Sequence, residues 1–366
     1  MDRLLRTGLA CLMMIAAPTA ALAQPKPAVP VDGITAIVDA FKTHDIVALG
    51  EGNHGNEQGA AFRAKLYADP RFTALVSDIV VETGNARHQA MMDRYIAGED
   101  VPHKELRWAW METTIPTDVM DKPIYEDMFR AIRDLNKTLP KDKQLRVLLG
   151  DKWYDSSQGP PMSRGDDAVV EIIHREVLDK KRKALVVYGD MHLLRKPLDT
   201  PVRPGETLTF RDGTITSLLE ADGVKVFTIR QFTPSRQAQD LSELQPDADS
   251  WAKGSLAMIK GTILGEAPFT FYYPKGFGMT VRPSPNGPVR TDLGEAIGGT
   301  LQDQVDALLY IGRKAEITYS KVPDSLCLDP EYVEFRASRL GTQKLPTGGT
   351  PADDFRAKCK KIAEAN

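Results

Sequence analysis

Glu51 and His54 stand three residues apart, where an apolar run of strand length, Asp45–Leu49, breaks into the turn Gly50-Glu51-Gly52-Asn53-His54-Gly55. A carboxylate and an imidazole at that spacing suit proton transfer, because an imidazole titrates close to neutral pH. Other apolar runs end in the same way. Glu82 follows Val76–Val81, Gly150-Asp151 follows Leu145–Leu149, and Gly189-Asp190-Met191-His192 follows Ala184–Tyr188. Two histidines and two carboxylates, Glu51, His54, Glu82 and His192, also make a possible ligand set for Zn²⁺ or Mn²⁺.

These groups lie up to about 140 residues apart, so the elements between them must bring them together. Helices are expected over 33–43, 57–68, 86–97, 124–137, 166–180 and 214–221. Strands are expected over 45–50, 76–81, 145–149, 184–188, 225–229 and 306–311. Helical stripes such as Tyr125, Met128, Phe129, Ile132 and Leu135 alternate with near-continuous apolar runs, as strands covered on both faces should show. The expected fold is α/β: a mostly parallel central sheet flanked by helices on both faces, with a C-terminal helical or irregular extension. In such a sheet the C-terminal strand ends share one edge, and ligands bind there. Residues 233–254 read as a polar loop, 256–282 carry no clear assignment, and 198–213 hold a possible hairpin strand.

The 366 residues, 42% hydrophobic and 27% charged, are of ordinary globular composition, and a net charge of −3 argues against a nucleic-acid partner. Arg3 and Arg6, the apolar Leu9–Ala17 and Ala21-Leu22-Ala23 read as a signal peptide over 1–23, cut before Gln24. A linker at 24–32, a main α/β domain over 33–323 with a less certain insertion at 233–282, and a packed tail at 324–366 are expected to follow. No later apolar run is long enough to span a membrane. A periplasmic or secreted location is therefore expected. It leaves Cys327 and Cys359, an even pair that suggests a disulfide pinning the tail.

The stretch Gly50–Gly55 resembles the opening motif of the erythromycin esterase family, part of a wider group with the ChaN haem-uptake proteins and the Tiki proteases. Arg63, nine residues after His54, and Glu82, nineteen further on, stand at that family's spacing. Trp110, Arg133-x-x-Asn136, Leu149-Gly150-Asp151 and Asp306-Ala307-Leu308-Leu309 are also similar. The Gly-x-x-His form at 189–192 looks more like the ChaN and Tiki branches, because the esterases carry His-Asn-x-His there.

The resemblance implies an exported hydrolase acting on an ester or amide of a small molecule. His54 would activate water, with Glu51 or Glu82 holding its other nitrogen or sharing the proton. Arg63 would stabilise the oxyanion, and His192 would be the second acid–base group. His88, Trp108, Trp110 and Asp190 are candidate substrate-binding residues. The alternative implied by the ChaN branch is a haem- or metal-binding uptake protein without catalysis. These residues single out no cofactor, and a divalent metal or haem is compatible with them.

Overall fold

The computed structural model describes residues 25–158, 166–195, 213–232, 239–276, 279–282, 289–340 and 348–365. The expected signal peptide and nearly all of the possible hairpin at 198–213 lie outside the described residues.

Ten strands occur among these residues: β1 (Pro30–Asp32), β2 (Ile46–Gly50), β3 (Asp78–Asn85), β4 (Arg146–Asp151), β5 (Ala184–Tyr188), β6 (Val226–Phe232), β7 (Ser255–Met258), β8 (Met279–Arg282), β9 (Val289–Asp292) and β10 (Ala307–Tyr310). Eight of them form one sheet in the order β1-β7-β10-β6-β2-β5-β3-β4, and β8 pairs with β9 apart from it. From β10 to β4 every pairing is parallel. Only β7, antiparallel to both β10 and β1, runs against the rest. The fold is thus α/β with a mostly parallel sheet.

Alternation along β2 shows why this sheet is covered on both sides. Val47 and Leu49 enter the core beneath the helices Gly33–Ala40, Glu57–Ala68 and Pro123–Asn136. Ile46 and Ala48 enter the opposite core, beneath Asp167–Ile173 and Ile215–Ala221. Successive strand side chains point to opposite faces, so a strand buried on both must be apolar throughout. All five β2 residues are buried. A further core gathers at the β7–β10 side around Phe269, Leu301 and Leu308.

Several boundaries differ from expectation. Residues 30–32, read as linker, form the edge strand β1, paired with β7. Residues 255–258, left without a clear assignment, are the antiparallel strand β7. β6 runs to Phe232, three residues further than expected, which brings Arg230 and Gln231 into the sheet. The helix expected to run to residue 180 is α-helical only over Asp167–Ile173 and continues as a π-helical turn to Leu178.

The C-terminal residues form two helices, Pro330–Arg339 and Pro351–Ala365. A disulfide joins Cys327 to Cys359, closing 32 residues of chain around them. Closing a loop of that size limits the unfolded chain, so Cys359→Ser is expected to lower unfolding free energy by about 2–4 kcal/mol in the chain-entropy account. Urea denaturation followed by circular dichroism measures it. Among the described residues no helix is long and apolar enough to cross a membrane.

Candidate active site at the C-terminal strand ends

β2 and β5 run in register, with Gly50 opposite Tyr188, so the turns after them emerge side by side. Glu51 N–H donates to the Tyr188 carbonyl (2.7 Å), which carries the pairing one residue into the turn. Gly52 then adopts φ +65°, a left-handed conformation that favours glycine. Its N–H donates to Asp190 Oδ1 (3.0 Å), tying the two turns together. Gly50 also answers to Asp190: a Cβ there would lie 2.0 Å from Asp190 Oδ1.

Glu51 is buried and accepts three hydrogen bonds: from Arg63 Nη2 (2.8 Å), Tyr125 Oη (3.1 Å) and His54 Nδ1 (2.9 Å). Burial alone would raise its pKa. Arg63, His54 and Tyr125 overcome that and hold the carboxyl at about 2. Glu51 is therefore a fixed carboxylate that orients the His54 ring.

His54 Nε2 then faces Glu82, 3.7 Å from Oε1. Burial would lower the His54 pKa, but the Glu82 charge and the hydrogen bond to Glu51 raise it to about 8. Glu82 is itself held by the Gly189 N–H, which donates to Oε2 (2.7 Å).

His192 approaches the same carboxylate oxygen, with Nε2 3.5 Å from Glu82 Oε1. Its Nδ1 is 2.7 Å from Asp166 Oδ1. The two imidazoles thus share one arrangement. Each has a carboxylate at Nδ1, which sets its tautomer and orientation, and each turns Nε2 towards Glu82.

A cleft of about 230 Å³ opens over this group, lined by His54, Gly189, Asp190, His192, Arg230 and Tyr273, among others. Arg230 comes from the added length of β6. Its Nη1 reaches Asp190 Oδ2 (3.0 Å) and donates to Tyr273 Oη (2.6 Å). The guanidinium carbon lies 4.4 Å from the centre of the Tyr273 ring.

Glu51, His54, Glu82, Asp190 and His192 are therefore brought together at one rim. Arg63 is adjacent to them but is not a lining residue of the cleft. It lies beneath Glu51, facing a groove between the helices Glu57–Ala68 and Pro123–Asn136. The oxyanion role expected for it does not fit that position, and Arg230 is the guanidinium on the cleft.

Three other candidates stand apart. His88 Nε2 is 2.7 Å from Glu112 Oε2, and the other oxygen of that carboxylate, Oε1, accepts from Arg87 and Ser156. Trp110 is buried and stacks on Phe129, and Trp108 meets Phe335 edge-on. None of the three lines this cleft.

The possible metal set of Glu51, His54, Glu82 and His192 does not fit either. Both Glu51 oxygens are engaged by Arg63, Tyr125 and His54. Among the described residues no group of three or more His, Cys, Asp or Glu side chains is placed to hold a metal ion.

Asp166, Arg230, Tyr125 and Tyr273 were not singled out from sequence as site residues. Asp166 read as a helix-start acid, Tyr125 as part of an apolar stripe, and Arg230 lay just past the expected end of its strand.

No family model matches the chain, and no curated protein matches it. Solved structures of similar fold include a Bacillus cereus protein with 14% identity and TM-score 0.48, covering 81% of this chain and 97% of that one. An erythromycin esterase variant in its open conformation has 12% identity and TM-score 0.46, covering 79% and 95%. ChaN of Campylobacter jejuni, known from a structure with cofacial haem, has 11% identity and TM-score 0.32, covering 60% and 95%. These are distant likenesses of fold, and none assigns this chain to a family.

Proposed function

We propose that this cleft hydrolyses an ester or amide, with His54 as the general base and His192 as its acid–base partner. The observation that carries this reading is the pair of imidazoles, each oriented by its own carboxylate and each directed at Glu82. Hydrolysis needs a base to take a proton from water and an acid to return one to the leaving group. Two oriented imidazoles that share one carboxylate oxygen can fill both roles and pass a proton between them. Arg230 on the cleft wall would stabilise the developing oxyanion, since its charge is permanent and partly desolvated. Arg63 and Tyr125 would act through Glu51, keeping it ionised and in place.

The pH dependence tests the assignment. With a pKa of about 8, His54 is mainly imidazolium at pH 7, and only the neutral ring accepts a proton. The ratio kcat/KM should therefore rise about tenfold per pH unit below pH 8 and level off above it. A rate unchanged between pH 6 and 9 would rule His54 out as the base. A screen of ester and amide substrates on purified protein supplies the assay. The competing reading is a haem-binding protein without catalysis. It would instead give a Soret band on haem addition, lost in a His54 or His192 variant, and no turnover.

A further inference from the structure

A smaller chamber of about 50 Å³ adjoins the cleft across His192. Three carboxylates line it: Glu82, Asp151 and Asp166. Asp151 comes from the end of β4, and its oxygens accept from Thr114 N–H (2.5 Å) and Thr114 Oγ1 (2.6 Å). Asp166 is held by His192 (2.7 Å) and Glu82 by Gly189 (2.7 Å). Among the described residues the positive groups facing the chamber are His192 and Lys152, and Lys152 is exposed. Arg339 reaches the neighbourhood of Asp151 from outside the chamber.

Tyr188 also lines this chamber. It is 3% exposed, and its hydroxyl has no hydrogen-bond partner among the described residues. The hydroxyl sits against Gly150, where a Cβ would lie 2.2 Å from it. A buried hydroxyl left unpaired is costly, so such a group marks a place where something polar belongs.

The charges narrow what that is. Three carboxylates repel an anion, and an alkyl group would leave the hydroxyl unsatisfied. A water would satisfy the hydroxyl but leave the negative charge in excess. Burial pushes the Asp151 carboxyl up to about 6 against the hydrogen bonds from Thr114, and the neighbouring Glu82 charge adds to the rise. A primary ammonium has three N–H donors and one positive charge. The chamber has room for about one or two groups of water size, as such a head requires.

We infer that this chamber is a recognition subsite for a primary ammonium group, so that the substrate is an amino ester or amino amide with its cation seated beside the scissile bond. The assignment of a substrate rests on the hydrolase reading above, whereas the ammonium site can be tested without it.

The test is titration of the intact chain with n-propylammonium chloride, followed by calorimetry or ligand-detected NMR, with 1-propanol and propionate as controls. Saturable binding of the ammonium alone is expected. Asp151→Asn should weaken it about tenfold, as loss of one charge from a partly desolvated pair does. Tyr188→Phe keeps the ring and removes only the hydroxyl, and should weaken it several-fold. No ammonium binding, equal binding of propanol, or unchanged affinity in both variants, each shown folded by circular dichroism, would overturn the inference.

Turnover separates it from the hydrolase reading. If ethyl glycinate and ethyl propionate are cleaved equally well, the subsite is wrong and the hydrolase stands. If the ammonium binds in an Asp151-dependent way and no ester or amide is cleaved, the subsite stands and the hydrolase falls.

Discussion

His54→Ala is expected to lower kcat/KM by a factor of roughly 10²–10⁴ on any ester the wild type cleaves, the usual contribution of a positioned general base. The ring has a carboxylate at Nδ1 (2.9 Å), a second carboxylate beyond Nε2 (3.7 Å) and a pKa of about 8. Glu51 would keep Arg63 and Tyr125 as donors, so it is not orphaned by the change. The side chain is only 24% exposed and is bonded to buried Glu51, so its loss should also cost about 1–2 kcal/mol of stability, too little to unfold the protein. Added imidazole should restore part of the rate, because the lost ring leaves room at the open cleft. A variant as active as wild type would remove His54 from the mechanism. A variant that is inactive because it is unfolded would show itself in the circular dichroism spectrum and would not respond to imidazole.

Asp121→Ala should cost about 3–5 kcal/mol of stability, the range found when one partner of a buried ion pair is removed. Asp121 accepts from Arg336 Nε (2.7 Å), Arg336 Nη2 (2.5 Å) and Tyr332 Oη (2.7 Å), and Arg336 is 1% exposed. Without Asp121 a guanidinium remains buried with no counter-charge among the described residues, where Arg336 Nη1 already lacks a partner. The helix Pro330–Arg339 would then lose its anchor. Arg339 on that helix donates to the carbonyls of Met111, Thr113 and Ile115, and Thr114 in the same segment holds Asp151. The damage should therefore spread from the C-terminal helices towards the chamber beside His192. Urea unfolding of Asp121→Ala and of the double variant Asp121→Ala/Arg336→Leu separates the causes. The double variant should recover part of the loss, because it removes both charges and leaves none stranded. Equal losses in the two would show that packing, not the buried charge, sets the cost.

The strands from β2 to β5 were legible because their burial left a mark in composition. β2, β3, β4 and β5 are covered by helices on both faces, and their apolar runs need no knowledge of neighbours to be recognised. The strands at the β1 end of the sheet left no such mark. β1 is three residues long and its partner β7 lies more than 200 residues away, so neither had a periodic pattern to read. The end of β6 was misjudged for another reason. Arg230 and Gln231 break the apolar run, yet both are buried, because Arg230 is paired with Asp190 and Gln231 donates to the Glu51 carbonyl.

Sequence by itself determined which chemical groups stand at the strand ends: Glu51, His54, Glu82, Asp190 and His192. The parallel order implied by alternating helices and strands placed them on a common rim, which is a consequence of topology alone. Tertiary structure decided how each group is used. Arg63 has the expected spacing, but its helix directs it beneath Glu51 and away from the cleft. Asp166 and Arg230 became site residues only through the packing that sets them against His192 and Asp190. Orientation and ionisation depend on contacts between residues far apart in the chain, and those contacts come into being only when the sheet and its helices are assembled.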